Sequence, residues 1–330
     1  MQRVELQIEE TFAPRPVAVR QALQKGTEFL SQMGVESARL DAELLLSKAL
    51  GCTKERLYLD YEMALETAVK DLYFSLLQRR ARREPLAYIT GEREFWSLRF
   101  HVTPEVLVPR PETELLVEVT LELAKGLEKN HPIKILDLGT GSGAIAVSLA
   151  KELDDIEVWA TDLSAPALEV ARSNALRHGG SEKIHFIEGD MFCPVRGQRG
   201  FFDIVVSNPP YVRQSELQNL APEVRTWEPK LALVGGSDGL DFYRRIMEEA
   251  DLYLTDRGIV ALEIGADMGS DVCRLIANVD RFSPASVYQD YAGRDRIVVA
   301  RKLPFDTINQ RQISKLRSVI RDSEQSEDNG

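Results

Sequence analysis

An asparagine, two prolines and a tyrosine follow one apolar run of the sequence. The run at 202–206 predicts a buried strand, and Asn208, Pro209, Pro210 and Tyr211 come just after it. An asparagine side chain offers a carbonyl acceptor and an amide donor, and consecutive prolines, which fix φ and lack an N–H, make a turn stiff. The Asn208 side chain and the Pro209 carbonyl thus provide two acceptors beside the flat ring of Tyr211. This group predicts a site for an –NH2 attached to a planar system.

The predicted chemistry is transfer of a group to that nitrogen. The lone pair of an amide or arylamine nitrogen is delocalised, so such a nitrogen is a poor nucleophile. Two acceptors on its hydrogens fix its orientation and raise its electron density, so positioning and charge stabilisation supply the catalysis. We therefore predict that Asn208, Pro209, Pro210 and Tyr211 bind the substrate and are catalytic. The alternative is a proline-stiffened turn that only closes a strand.

A glycine-rich segment lies between a predicted strand and a predicted helix. In "LDLGTGSGAIA", Gly139, Gly141 and Gly143 let the backbone pass close to a ligand, and amides at the helix N-terminus can donate to it. Dinucleotide-binding loops have glycines at the first, third and sixth positions, whereas the sixth position here is Ala144. The loop also lacks the lysine of a phosphate-binding P-loop.

Acidic residues follow the neighbouring predicted strands. Asp162 ends the strand after the loop, where an acid accepts hydrogen bonds from ribose hydroxyls, and Asp190 and Met191 end the next, within reach of an adenine ring. Asp137, at the lip of the loop, repels a pyrophosphate and suits a cation. A nucleoside that carries a sulfonium and an amino acid fits these groups, which predicts S-adenosylmethionine as the cofactor. A tight strand-to-helix turn without a ligand is the alternative.

Hydrophobic periodicity divides the chain into segments of different kinds. Residues 16–84 have helical spacing, residues 86–107 are aromatic and β-branched, and strands alternate with helices from about residue 130. This alternation implies a mostly parallel, doubly wound α/β sheet, here of seven strands. The expected segments are a helical bundle at 1–85, a β-hairpin linker at 86–107, the α/β domain at 108–302 and a partly disordered tail at 303–330.

The composition excludes several classes of protein. With 330 residues, a net charge of −11 and 44% hydrophobic residues, the chain suits a two-domain globular protein without a long nucleic-acid surface. Its three cysteines and four histidines lack the spacing of a disulfide framework or a metal site. Neither a signal peptide nor an apolar run of about 18 residues is found. We therefore expect a cytoplasmic monomer without a metal or a membrane contact.

Several motifs together resemble one family. The combination of "SNPPYV" with "LDLGTGSGAIA" looks like the class I methyltransferases that modify planar amino groups. Further segments are similar to the HemK/PrmC family, the N5-glutamine methyltransferases of peptide chain release factors, and the resemblance runs from about Pro16 to Lys302. These segments are "PRPETELLVE", "GEREFWSLRF", "EPKLALVGGSDGLDFY" and "YAGRDRIVVARK".

The resemblance implies a substrate and a set of contacts. The acceptor would be the glutamine of the Gly-Gly-Gln loop of class 1 release factors, its amide held by Asn208 and the Pro209 carbonyl with Tyr211 beside it. Residues 110–113 would close over the cofactor, and Phe95 and Trp96 would either lie near it or pack between domains. The implied cofactor contacts are Gly139, Thr140, Gly141, Ser142, Gly143, Asp162, Met191 and Asn208.

The resemblance also gives the helical bundle a role in docking the release factor. The arginines that end its last predicted helix would then touch an acidic protein surface, or form a solvated face, which we favour. Glu228 and Pro229 resemble a family segment near the substrate loop, with a plain turn as the alternative. The arginines in question are Arg79, Arg80, Arg82 and Arg83.

Three other functions compete with release-factor methylation. A methyltransferase of glutamine in a ribosomal protein would share the catalytic domain and differ mainly at the N-terminus. A DNA adenine-N6 methyltransferase would hold its amino group the same way, but the net charge of −11 and the compact bundle argue against DNA binding. A binding module with a vestigial cofactor fold is disfavoured by the intact Asn-Pro-Pro motif and glycine loop.

Overall fold

The computed structural model describes residues 17–127 and 131–304 and divides into two compact units. Within the described residues, the first unit comprises 17–92 together with 221–227, and the second comprises 93–127, 131–220 and 228–304. The chain therefore enters the first unit a second time, in a short helix. The α-helices are α1 (Val19–Gln32), α2 (Ala38–Leu50), α3 (Lys54–Leu59), α4 (Thr67–Ala81), α5 (Leu86–Thr90), α6 (Thr113–Lys125), α7 (Ala144–Glu152), α8 (Ala165–His178), α9 (Pro222–Trp227), α10 (Asp241–Tyr253) and α11 (Gly269–Ala277).

The first unit is the expected helical bundle. Its core contains the apolar faces of α1, α2 and α4, with Tyr73 and Leu77 fully buried. At Gly26, α1 lies so close to α4 that an added Cβ would come within 2.0 Å of the Tyr73 hydroxyl. Helix α2 ends at Gly51, which has the left-handed conformation (φ 64°) that favours glycine.

The arginines at the end of α4 do not form the solvated face that we favoured. Arg80 is only 6% exposed and pairs with Asp41 at 2.6 Å and with Glu223 of α9 at 3.0 Å. Arg83 also pairs with Glu223, at 2.9 Å. Arg82 is exposed. A buried guanidinium needs partners for its charge and its donors, and helical periodicity alone did not reveal that α9 supplies one of them.

The second unit contains a seven-stranded sheet of the predicted α/β type. Its order is β5-β4-β3-β6-β7-β9-β8. Strands β3 to β7 are parallel, and β9 runs antiparallel to both of its neighbours, β7 and β8. The strands are β1 (Glu92–Phe95), β2 (Leu98–His101), β3 (Ile133–Leu138), β4 (Ile156–Asp162), β5 (Ile184–Glu188), β6 (Phe202–Ser207), β7 (Leu254–Glu263), β8 (Ser286–Gln289) and β9 (Asp295–Arg301).

Helices cover both faces of this sheet, as the doubly wound arrangement requires. Alternate residues of β6 point to opposite faces: Ile204 and Val206 join a core with α6, α7 and α8, and Val205 joins a second core with α10 and α11. A parallel strand buried on both faces has the continuous apolar sequence that the run 202–206 displays. The predicted doubly wound, seven-stranded α/β sheet and the N-terminal helical region are confirmed.

The segment between bundle and sheet differs in part from the expected hairpin. Strands β1 and β2 form a two-stranded sheet, but residues 86–90 before them form a helical turn that ends at Gly91 (φ 79°). Only 92–101 of the expected linker is therefore hairpin. The predicted tail lies outside the described residues beyond Pro304.

Candidate active site

The strand order brings the Asn-Pro-Pro-Tyr turn next to the glycine loop. Ser207, the last residue of β6, lies in register with Leu138, the last residue of β3. The Ser207 hydroxyl donates to the Leu138 carbonyl at 2.7 Å. Asn208 and Gly139 each follow one of these paired residues, so the two predicted motifs start side by side at the carboxyl edge of the sheet, where ligands of such sheets bind.

The glycine loop provides an open surface. Gly139 and Gly141 have φ of 73° and 55°, and a Cβ built on either would meet no atom within 4 Å. The backbone there is accessible to a ligand, with no side chain in the way. Gly143 has a different role, because its Cβ would come within 3.1 Å of the Ala171 Cβ on α8. This glycine allows α7 to pack closely against α8.

Asp162 organises the glycine loop. Its Oδ2 accepts a hydrogen bond from the Gly141 N–H at 2.8 Å, and its Oδ1 accepts one from the Ser164 N–H at 2.9 Å. The Leu163 N–H acts on the carboxylate as well. A carboxylate has about four acceptor sites, so about one remains for another donor such as a ribose hydroxyl. Burial raises the pKa of the carboxyl, against the opposing effect of the backbone hydrogen bonds.

Asp137 contributes a buried acceptor beneath the loop. The residue is fully buried, and its Oδ2 accepts a hydrogen bond from the Thr140 hydroxyl at 2.7 Å. Its Oδ1 has no hydrogen-bond partner among the residues that the structure describes. Burial raises the pKa of Asp137 to about 7, and the nearby charge of Asp162 acts in the same direction. Hydrogen bonds from Thr140 and from the Ala146 N–H favour the charged form of this carboxyl. A cationic ligand above the glycine loop would favour it further.

Met191 lies in a turn with an unusual backbone. Its φ is 50°, a left-handed conformation rare for a residue with a side chain. The Met191 carbonyl accepts a weak hydrogen bond from the Thr161 hydroxyl at 3.5 Å. Neighbouring Asp190 pairs with Arg245 of α10 at 2.6 Å. The turn after β5 is thus held toward β4 and α10, and the predicted adenine contact of Met191 stays a prediction.

The Asn-Pro-Pro-Tyr turn is held by a second loop that sequence reasoning identified only as a family segment. Residues 212 and 234 form an isolated parallel bridge, with the Val212 N–H donating to the Leu233 carbonyl at 2.8 Å. At Gly235 a Cβ would lie 2.5 Å from the Pro210 carbonyl oxygen. At Gly239 it would lie 2.5 Å from the Tyr211 carbonyl oxygen. The stiffness of the turn therefore comes from this loop as well as from the prolines.

Glu228, for which a plain turn was the alternative, binds two groups in a distant segment of the chain. Its side chain is almost fully buried and binds Arg110 at 2.6 Å and the Val108 N–H at 3.2 Å. One carboxylate thus fixes both the start of the segment 110–113 and the loop that follows α9. The predicted closure of 110–113 over a cofactor stays a prediction, but its backbone is anchored on one side by this carboxylate.

Asn208 is tied to helix α6. Its amide Nδ2 donates to the hydroxyl of Thr113, the first residue of α6, at 3.0 Å. Thr113 is 4% exposed, so this hydrogen bond is shielded from water. Because the –NH2 of Asn208 is engaged by Thr113, its carbonyl oxygen Oδ1 is the atom left to accept from another donor. Tyr211 is partly buried in the second core, where burial raises its pKa to about 12.

Asn174 was missed by sequence reasoning. It is fully buried on α8, where its amide donates to the carbonyls of Ser142 and His101, both at 2.9 Å. Its Oδ1 accepts from the His101 N–H at 2.7 Å. One side chain thus joins the glycine loop to β2. An asparagine within a helical pattern was the available signal, since such a residue is unfavourable in a helix unless it has a specific partner.

Phe95 and Trp96 pack inside the second unit. Phe95 is 1% exposed and contacts Phe100 edge to face. The Trp96 indole N–H donates to Glu152 at 2.9 Å. Glu152 is the last residue of α7, at the opposite end of that helix from the glycine loop. The Trp96 backbone N–H donates to Glu114 Oε1 at 2.9 Å, next to the segment 110–113. Both aromatic residues pack in the core of the second unit, and their proximity to the cofactor stays a prediction.

Two classes of feature are missing from the described residues. Within 17–127 and 131–304, no group of three or more histidine, cysteine, aspartate or glutamate side chains is arranged to hold a metal ion. Over the same ranges, no helix has both the length and the hydrophobicity needed to cross a bilayer.

Comparison with known proteins decides the family. The family model "PrmC N-terminal domain" matches residues 21–91, and "Methyltransferase small domain" matches 116–224. A release factor glutamine methyltransferase of Geobacter sulfurreducens is 42% identical over 88% of this chain and 99% of its own length. That of Moorella thermoacetica is 44% identical over 86% of this chain and 98% of its own length. The chain belongs to the release factor glutamine methyltransferase family.

Structural similarity extends beyond this methyltransferase family. The hMettl16 catalytic domain, solved in complex with a MAT2A 3′UTR hairpin, is 16% identical, covers 66% of this chain and 80% of its own, and has a TM-score of 0.51. At that level of identity the likeness concerns the fold. The motifs predicted from the sequence thus lie in a release factor glutamine methyltransferase whose fold is similar to that of a domain with a very different sequence.

Proposed function

We propose that this protein transfers a methyl group from S-adenosylmethionine to the side-chain nitrogen of the glutamine in the Gly-Gly-Gln motif of class 1 peptide chain release factors. The observation that carries the proposal is the identity of 42–44% with proteins named for this activity, over 98–99% of their length. The side-by-side placement of the Asn-Pro-Pro-Tyr turn and the glycine loop supports it. A substrate that acts on the ribosome would place the enzyme in the cytoplasm.

In this proposal the chain holds the substrate amide by two acceptors. Asn208 Oδ1 and the Pro209 carbonyl each accept one N–H of the glutamine carboxamide, and Pro210 and Tyr211 form the wall against which its plane packs. The hydrogen bond from Asn208 Nδ2 to Thr113 keeps Oδ1 available for this contact. The two acceptors orient the nitrogen and stabilise the positive charge that grows on it during attack.

The residues around the glycine loop fit the proposed cofactor. The open surface at 139–141 accommodates the amino-acid part, the unpartnered Oδ1 of Asp137 is suited to its cationic groups, and Asp162 retains an acceptor site for the ribose. Met191 would pack against the adenine.

When bound, S-adenosylmethionine supplies a methyl group on a sulfonium. The new N–CH3 bond forms as the S–CH3 bond breaks, the electron pair stays on sulfur as a neutral thioether, and nitrogen releases a proton to water.

The helical unit would recognise the release factor. Its sequence matches the N-terminal domain of the family, which is separate from the matched methyltransferase region. The arginines at the end of α4 are poor candidates for direct contact, because Arg80 is buried and Arg79 and Arg83 are paired within the unit. Arg82 is the exposed member of the group.

One labelling experiment tests the proposal. The protein is incubated with methyl-labelled S-adenosylmethionine and, in separate reactions, a class 1 release factor, the same factor with alanine in place of the Gly-Gly-Gln glutamine, ribosomal proteins, and duplex DNA. We expect label only in the unaltered release factor. Label in the alanine variant would mean a different acceptor residue, and label in ribosomal protein or DNA instead of the factor would contradict the proposed substrate.

A further inference from the structure

A buried carboxylate lies behind the hydrogen bond between Asn208 and Thr113. Leu262, the residue before Glu263, is in register with Ser207, the residue before Asn208, so Asn208 and Glu263 lie at neighbouring strand ends. The Thr113 hydroxyl accepts from Asn208 Nδ2 at 3.0 Å, and its hydrogen bond to the Glu263 side chain lowers the pKa of that carboxyl against the opposite effect of burial. Glu263 ends β7 and is 1% exposed, and its Oε2 has no partner among the described residues. The three side chains come from the ends of β6 and β7 and from the start of α6, so they form one connected line at the carboxyl edge of the sheet.

The protons on this line have one consistent arrangement when Glu263 is ionised. A hydroxyl has a single proton, and a carboxylate can only accept. Thr113 therefore donates to Glu263 and must accept from Asn208. This order of donors and acceptors holds the Asn208 –NH2 toward Thr113, so the Asn208 oxygen Oδ1 points away from Thr113. A Thr113 hydroxyl without the carboxylate could equally donate to the Asn208 oxygen, which would reverse the amide, because the two ends of an amide have nearly the same shape.

We propose that Thr113 and Glu263 are positioning residues of the methyl transfer, which orient the Asn208 amide so that its oxygen faces the substrate nitrogen. The proposal rests on the proposed function for its catalytic meaning. The orientation of Asn208 itself is a property of the free protein. Neither Thr113 nor Glu263 touches the reacting atoms, so each acts through Asn208.

The proposal predicts a dependence on pH. Burial raises the pKa of Glu263 to about 7; the charges of Arg296 and Arg110 oppose this rise, and that of Glu112 adds to it. Tyr211 and Tyr243 also face the carboxyl, and burial holds both of their pKa values above 10, so they stay neutral.

Protonation of Glu263 would reverse the hydrogen bonds of this line. Below about pH 7 a protonated Glu263 can donate to Thr113, which frees the Thr113 proton for the Asn208 oxygen. The reversed amide then presents –NH2 to the substrate, so turnover falls on the acid side.

Kinetics of matched variants test the positioning role. Thr113→Val removes the hydroxyl at constant shape, and we expect kcat for the release factor to fall about tenfold, the effect of one lost hydrogen bond, with the Kd for S-adenosylmethionine retained. Thr113→Ser keeps the hydroxyl and should recover most of the loss. Thr120→Val is the control, since this buried hydroxyl in the same helix donates to the Leu116 carbonyl within the helix, and it should keep wild-type kcat.

Replacement of the carboxylate tests the pH dependence. In Glu263→Gln the side-chain oxygen still accepts from Thr113, but the group no longer titrates. We expect wild-type kcat to fall below about pH 7 and the variant to lose this acid limb between about pH 6 and about pH 8. An acid limb that persists unchanged in Glu263→Gln would overturn the proposal, as would wild-type kcat in Thr113→Val.

A readout without substrate separates this inference from the proposed function. In 15N-labelled protein, the side-chain –NH2 signals of Asn208 are assigned by their loss in Asn208→Ala. We expect these signals to titrate with a midpoint near 7 and to lose the titration in Glu263→Gln and Thr113→Val. The signals can show this titration while the wild type fails to methylate a release factor. That result would contradict the proposed function and support the proposed orientation of Asn208. If the Asn208 –NH2 signals change neither with pH nor in the two variants while methylation proceeds, the positioning role is contradicted.

Discussion

The carboxylate of Asp162 accepts a hydrogen bond from the backbone N–H of Gly141 at 2.8 Å, so the strand end that is predicted to bind the ribose also holds the glycine loop in place. Its second oxygen takes the N–H of Ser164, next to the start of α8. Loss of this side chain would therefore remove two anchors of the cofactor site together with its proposed ribose contact.

Asp162→Ala should weaken S-adenosylmethionine binding by at least about tenfold, since one to two hydrogen bonds to a charged group are lost. Titration calorimetry measures this effect. Asp154→Ala is the matched control, because Asp154 is exposed in the loop before the same strand. Unaltered affinity in Asp162→Ala would remove the residue from the cofactor site.

Asn208→Ala should leave cofactor binding measurable and lower turnover about 10²-fold or more, the scale of a lost electrostatic contact in a transition state. Single-turnover rates with a release factor separate the chemical step from binding. Asn278→Ala, at an exposed position after α11, should retain the wild-type rate. Equal rates in the two variants would contradict the role of Asn208.

Gly235→Ala tests the second loop. The new Cβ would lie 2.5 Å from the Pro210 carbonyl oxygen and 2.8 Å from the Tyr211 Cα, both backbone atoms that must move. A displacement of about 1 Å in a catalytic group can cost about 10²-fold in rate, so we expect a fall of that order in kcat. Gly197→Ala is the control, since its Cβ would meet nothing within 4 Å. Full activity of Gly235→Ala would show that the turn does not depend on this packing.

Arg80→Met tests the buried ion pairs of the helical unit. It would leave the carboxylates of Asp41 and Glu223 without this partner, and removal of one member of a buried pair typically costs about 3–5 kcal/mol. Denaturant unfolding measures the loss, and we expect less than about 0.5 kcal/mol for the exposed neighbour in Arg82→Ala. Equal effects of the two substitutions would contradict the burial of Arg80.

The pH dependence of stability reports on Asp137. Burial raises its pKa to about 7, so the folded protein binds this proton more tightly than the unfolded chain does. Its contribution to stability is greatest below about pH 4 and is lost as the pH rises through about 7. In Asp137→Asn this loss, on the order of 4 kcal/mol, is absent. The thermal midpoint of the wild type should therefore fall relative to the variant between about pH 4.5 and about pH 8, and parallel curves would contradict the raised pKa.

The sequence was informative about elements and motifs because these depend on local pattern. The continuous apolar run 202–206 predicts a strand buried on both faces, and Gly51 predicts the end of α2, because each reflects the environment of one short segment. Parallel strands present their carboxyl ends together, so the sequence pattern also implies that the Asn-Pro-Pro-Tyr turn and the glycine loop share one edge of the sheet. Their register, Ser207 with Leu138, required the structure.

The parts that could not be predicted depend on pairs of residues far apart in the chain. Arg80 and Glu223 are 143 positions apart, so no local periodicity links them. The contact of Asn208 with Thr113 spans 95 positions. Glu263 offered no signal either, since a glutamate at a strand end is ordinarily solvated.

The central claim is that Asn208 and Pro209 hold the carboxamide of a release-factor glutamine. Its most direct test is a crystal structure of the protein with S-adenosylhomocysteine and a release factor bound. We expect the glutamine side-chain nitrogen within about 3.2 Å of both Asn208 Oδ1 and the Pro209 carbonyl oxygen, with the Asn208 –NH2 on Thr113. A glutamine bound elsewhere, or an Asn208 side chain turned away from the cofactor sulfur, would contradict the account.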